Sequence, residues 1–202
     1  MKWLQLIYKL PAEPSRKRTY VWRQLRGLGA VYLQDGCCIL PRTPSAETGF
    51  AEIAAKVREF GGDATLSTLG PAEPGWDEHM VATLNQARDE EYEELIDTIE
   101  RFEEEIARET RKGKFTFAAL EEIDDEYERL ERWLERIRAR DLCNASLASR
   151  APEKCDGARV VREAYAEEVH RRIGANAEFP QSSPAPESVA NESQSTHSEP
   201  EK

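Results

Sequence analysis

Residues 3–41 read WLQLIYKLPAEPSRKRTYVWRQLRGLGAVYLQDGCCILP. Leu4, Leu6, Tyr8 and Leu10 alternate with Trp3, Gln5, Ile7 and Lys9, the period of a strand, and both rows are apolar enough for a central one. Pro11 and Pro14 end it. Ser15 is placed to cap a helix over about residues 16–28. At 100° per residue, Val21, Trp22, Leu25 and Leu28 share one face of that helix, and Arg16, Tyr20, Arg23 and Arg26 gather on the other. Gly29 stands where a left-handed residue ends a helix. Two short strands follow, 30–34 and 37–40, joined by Asp35-Gly36, a pair suited to a primed turn with positive φ.

Outward from this stretch, Pro41 and Pro44 close the unit, and Ser45 is expected to cap a second helix over about 46–60. Phe50, Ile53, Ala54, Val57 and Phe60 give it one apolar face. Gly61-Gly62 stop it, and residues 63–69 read as a last strand. The order βαββαβ predicts an α+β fold, a ferredoxin-like basic domain over residues 1–70, with two helices on one sheet face. The other face is left open, and Trp3 and Ile7 lie on one of the two faces. Either a partner or second copy covers the open face, or the segment after residue 75 does.

Residues 71–76 read as a linker, and 77–174 as a helical hairpin plus a third helix. Tyr92, Leu95, Ile99, Phe102 and Ile106 step by three and four, as do Leu120, Ile123, Tyr127, Leu130, Leu134 and Ile137. Between them Gly113 ends one helix and Thr116 caps the next, with Phe115 and Leu120 at the positions of a hydrophobic staple. An antiparallel hairpin is the expectation. Residues 141–156 read as a loop, with Asp156 capping a third helix over about 158–173 along Val161, Tyr165, Val169 and Ile173. Residues 178–202 have almost no apolar content and read as a disordered tail.

Charge divides the same way. The 202-residue chain has a formal net charge of -11, yet residues 1–42 carry eight bases against two acids. From Asp77 to Asp141 there are 22 acids against 11 bases. Those acids read as a solvated helix surface with i to i+4 pairs such as Glu104 with Arg108 and Glu128 with Arg132, or as a dedicated acidic docking surface. So acidic a chain does not coat nucleic acid generally, and any such contact must be local. It would fall on Arg16, Lys17, Arg18, Arg23 and Arg26, with Tyr20 among them, and an ordinary solvated helix face is the alternative.

Other chemistry finds little support. Cys37 and Cys38 are adjacent on a strand and point to opposite faces, so they cannot hold one ion together. Cys143 and Cys155 have no His at ligand spacing, and a redox pair between them stays open. His79 and His170 read as surface residues. No phosphate loop, nucleophile motif or zinc spacing occurs, so no catalytic residue, metal site or cofactor is expected, and no enzyme. No leader and no membrane span is read, which places the chain in the cytoplasm by expectation.

As an ensemble these residues resemble the N-terminal domain of the ChrB chromate-resistance regulators. The pieces are Leu6-Ile7-Tyr8-Lys9 with Pro11 and Pro14, Val21-Trp22-Arg23, Leu28-Gly29-Ala30, and Leu33-Gln34-Asp35-Gly36 leading to Leu40-Pro41. The likeness continues in Ala87-Arg88-Asp89-Glu90-Glu91-Tyr92 and Gly113-Lys114-Phe115-Thr116-Phe117. It spans about residues 3–173, with a more distant similarity to the middle domain of PaaX-type repressors. The resemblance implies a transcriptional regulator tied to chromate resistance that contacts promoter DNA through its basic N-terminal part. Longer members carry a C-terminal domain linked to chromate sensing. This chain has its polar tail there, so it reads either as a stand-alone regulator or as the N-terminal half of a split system with a separate sensing protein as partner; a homodimer through the sheet or the helices is the other partner considered. Ferredoxin-fold nucleases of the CRISPR adaptation type need an Asp at the end of the first strand, where this chain has Tyr8-Lys9-Leu10, so no metal-dependent cleavage is expected. The competing function is an adaptor that binds another protein through the acidic hairpin and does not touch DNA.

Overall fold

The computed structural model describes residues 1–71 and 73–177. Its elements are β1 (Trp3–Lys9), α1 (Ser15–Gly27), β2 (Val31–Gln34), β3 (Cys37–Pro41), α2 (Pro44–Glu59), β4 (Asp63–Leu69), α3 (Trp76–Arg111), α4 (Phe117–Arg138) and α5 (Arg150–Ala177). The class is α+β. The first six elements run βαββαβ, and the strands lie in the order β2-β3-β1-β4 with every neighbouring pair antiparallel. Each helical crossover therefore passes one intervening strand, β3 for α1 and β1 for α2. The expected tail at 178–202 lies outside the described residues.

The helix-covered face of the sheet forms the first core. Leu4, Leu6, Cys38 and Leu40 meet Val21 and Leu25 of α1 and Ala46, Phe50, Ile53, Ala54 and Val57 of α2. Phe50 is fully enclosed, and burying such a side chain contributes about 1.5–3 kcal/mol. α2 is capped by Thr43, whose hydroxyl accepts from the Ala46 amide at 3.1 Å, with Pro44 as its first residue. That corrects the expectation of Ser45: proline pre-sets the first helical φ and needs no donor there, so the helix starts earlier. In the hairpin between β2 and β3 only Gly36 has positive φ, and the register slips between Tyr32 and Gln34. The turn is therefore not of the primed kind that Asp35-Gly36 suggested, since both primed types need positive φ at Asp35, and a bulge absorbs the difference.

The other sheet face is divided. The first three turns of α3 lie over one end, where Met80 and Leu84 pack on Trp3 and Ile39, joined by Val31, Leu69 and Trp76. Trp3 is fully buried, its indole N–H donates to Asp77 at 2.7 Å, and its ring meets Trp76 edge-on at 5.7 Å. At the other end Ile7 is left 48% exposed. The segment after residue 75 thus covers the Trp3 end of this face, and the Ile7 end is left open.

The helical part has its own core, built from Leu95, Ile99, Phe102 and Ile106 of α3, Ile123, Tyr127, Leu130 and Ile137 of α4, and Ala158, Tyr165 and Val169 of α5. Thr116 caps α4 by accepting from the Ala119 amide at 3.2 Å, Gly113 has φ of 68°, and Phe115 and Leu120 are both buried, as a staple requires. α5 begins at Arg150, well before the expected 158. Pro152 falls in its first turn, where a missing N–H costs nothing, so the proline does not mark a loop. Asp156 is inside the helix and pairs with Arg159 at 3.4 Å instead of capping.

Candidate nucleic-acid interface

α1 starts abruptly. Pro14 occupies its N-cap position, and no side chain caps the helix. Ser15, the expected cap, is instead the first helical residue, and its carbonyl accepts from the Thr19 hydroxyl at 3.3 Å. Arg16, Lys17 and Arg18 fill the first turn, with no acid among them. Three cations at the positive end of a helix dipole repel it, and an anion docked there would relieve both the charge and the unpaired amides. At the far end Gly29 has φ of 82°, and a Cβ on it would stand 2.8 Å from the Arg140 carbonyl oxygen. Glycine is thus required twice over, for the backbone and for the close approach of the 140 loop.

The five candidate bases divide by what holds them. Val21 and Leu25 anchor α1 in the core. Arg16, Arg18 and Arg23 are exposed and form no ion pair among the described residues. Lys17 donates to the Phe60 carbonyl at the end of α2 at 3.1 Å, with its ammonium 5.4 Å from the Phe60 ring centre. Arg26 lies 5.4 Å over the Trp22 ring and 3.6 Å from the Glu91 carboxylate of α3, yet its side chain stays 52% exposed. Trp22 itself is 44% exposed, not a core residue. The buried stripe of α1 is narrower than the wheel suggested, because α3 approaches Trp22's side without closing on it.

That gap is a groove of about 350 Å³ between α1, β2 and α3, lined by Trp22, Arg26, Val31, Arg88, Glu90 and Glu94 among others. Its far wall is acidic, which repels a polyanion from that flank. Arg16, Tyr20 and Arg23 lie exposed away from that wall. Tyr20 is 43% exposed and meets Phe60 edge-on at 5.7 Å, so an aromatic pair lies between the bases.

At the floor of the groove sits a network that sequence reasoning missed. Glu91 accepts from Arg88 at 3.2 Å and Arg140 at 2.8 Å, and Arg26 completes the set. Burial pulls the Arg140 guanidinium below its ordinary pKa, with Glu91 opposing that shift. The neighbouring residues serve the same joint. Asp89 accepts from the Ser146 hydroxyl at 2.8 Å and the Leu147 amide at 2.9 Å, and the Tyr92 hydroxyl donates to Asp141 at 3.4 Å. The run Ala87-Arg88-Asp89-Glu90-Glu91-Tyr92 therefore ties α3 to α1 and to the loop before α5.

Part of the acidic charge of the hairpin is paired along its own helices. Arg132 pairs with Glu128 at 3.0 Å as expected, while Arg108 turns to Glu105 at 3.2 Å, not Glu104. Lys112 and Lys114 hold Glu109 below the usual carboxylate range. Among the described residues no three His, Cys, Asp or Glu side chains are placed to hold a metal ion, and no helix is long and apolar enough to cross a membrane. His79 and His170 are both exposed. All four cysteines are free; Cys155 is buried beside Tyr127 in the helical core, and Cys143 packs where α3 meets the sheet, so they belong to different clusters.

An antiparallel sheet bearing a basic helix, joined to a helical bundle through the Trp3, Met80 and Leu84 cluster and the buried Glu91 carboxylate, defines the class. Residues 18–176 match the family described as Protein ChrB, N-terminal, and the chain belongs to that family. It is also 30% identical over 71 residues to Protein ChrB of Cupriavidus metallidurans. That stretch is 35% of this chain and 22% of the relative, so the chain spans under a quarter of the length of the curated protein it matches.

Proposed function

We propose that this chain is a DNA-binding regulator associated with chromate resistance, contacting a promoter through α1. Family membership supports a ChrB-like regulatory role. The observation that carries DNA contact is the first turn of α1: Arg16 and Arg18 with Arg23 beyond them, outward and without carboxylate partners among the described residues, at an uncapped helix N-terminus. Lys17 and Arg26 contribute less, since each already has a partner in the protein.

The function rests on phosphate contact by these groups. Three released counterions give a slope of log affinity against log salt of about −3. The test is titration of a labelled promoter fragment with the intact chain at several salt concentrations. Wild type should bind with that slope. Arg16→Glu/Arg23→Glu should lose at least about tenfold in affinity, flatten the slope and leave the circular dichroism spectrum unchanged. Salt-insensitive binding, or equal binding by the variant, overturns the assignment of α1.

A further inference from the structure

The two edges of the sheet are treated differently. β2 is four residues long, bulged, and flanked by α3, to which Val31 packs. These are the usual ways of blunting an edge. β4 is seven residues, DATLSTL, with no base and no proline, and it touches only β1 and α2 to any extent. Among the described residues only Arg58 of α2 covers any of it, at the Ala64 end.

The register fixes which groups face outward. The Tyr8 amide donates to Gly36 at 2.7 Å and the Arg42 amide to Lys2 at 2.9 Å, so the even-numbered residues of β1 point their backbone at β3. The odd ones, Trp3, Gln5, Ile7 and Lys9, therefore bond to their partners Leu69, Ser67, Thr65 and Asp63. That leaves the N–H and C=O groups of Ala64, Leu66 and Thr68 directed away from the sheet. Arg58 donates to the Ala64 carbonyl at 2.8 Å, in keeping with that direction, and must release it before a second strand pairs there.

We propose that β4 is a dimerisation edge, pairing antiparallel with β4 of a second copy about a two-fold axis through Leu66. The outward set is self-complementary. Leu66 exchanges both backbone bonds with its own copy, and Ala64 faces Thr68 in each direction. At 36% exposure Leu66 also meets its copy side chain to side chain. Asp63, the strand's one charge, lies beyond the paired groups, so no like charges face each other. A two-fold axis perpendicular to the sheet keeps both helix layers on one side. The dimer does not rest on the reading of α1 above.

The test is sedimentation equilibrium of the full chain, with amide hydrogen exchange as a second readout. The wild type should be a dimer, with the Leu66 and Thr68 amides protected at high concentration and exposed on dilution. Thr68→Pro removes an outward N–H that β1 does not use, so it should keep the spectrum of the fold and weaken dimerisation at least about tenfold. Arg16→Glu/Arg23→Glu should remain dimeric, which separates this proposal from the DNA assignment. A monomeric wild type, a dimer unchanged by Thr68→Pro, or Leu66 and Thr68 amides that exchange equally fast at all concentrations overturns it.

Discussion

Arg140 Nη2 lies 2.8 Å from the Glu91 carboxylate, joining residues 49 positions apart with both side chains largely buried. Arg88 shares the same carboxylate, so Glu91 neutralises more than one guanidinium away from water. Replacing Glu91 by Ala strands those charges, which should cost about 3 kcal/mol in urea denaturation. Glu128→Ala, removing one half of an exposed pair, should cost under about 0.5 kcal/mol. Equal effects would mean the Glu91 joint contributes no more than surface charge.

Phe50 tests the first core. It is fully buried between the sheet and α1, and Phe50→Ala should lower stability by about 3–5 kcal/mol. A smaller loss in thermal or urea melts would mean that the helices settle into the space.

Asp77 gives the junction of sheet and α3 a pH dependence. The N-terminal ammonium, and then the Trp3 indole N–H, hold its carboxyl below the ordinary value of 3.8. A depressed acid contributes stability that is complete above the unfolded pKa and is lost as pH falls through the folded one. Trp3 fluorescence should therefore stay native down to about pH 4 and change below it. In Asp77→Asn that acid step should shrink; an unchanged step would place the titration elsewhere.

Thiol labelling should follow burial. Burial pushes the Cys38 thiol up to about 12, and also raises Cys155 and Cys143, the last only half-buried. A maleimide at pH 7.5 should modify Cys143 first and leave Cys38 and Cys155 untouched until denaturant is added. Early modification of Cys38, read by mass spectrometry, would contradict the closed core.

Local periodicity carried the strand and helix order because each element shows its own apolar face, as Leu4, Leu6 and Tyr8 do in one strand. Thr116 and Gly113 were legible for the same reason: their partners lie within a few residues. Ser45 and Asp156 misled because a proline nearby set the helix start, a competition that composition does not rank. The Glu91 network was invisible, since Arg26 and Arg140 reach it from distant parts of the chain. Its only signal was that Arg88 and Glu91 are three apart on one helix face, as many solvated pairs are. Trp22 was taken for core because a wheel gives direction, not the distance of the neighbouring helix.

The indole of Trp3 is sealed on one side of the sheet by Met80 and Leu84. Cutting the gene after codon 70 would consequently release a fragment whose central strand shows bare tryptophan and isoleucine to water. Such a fragment should clump rather than behave as a miniature of the parent, so the amino-terminal third depends on the helices that come after it in order to stay folded.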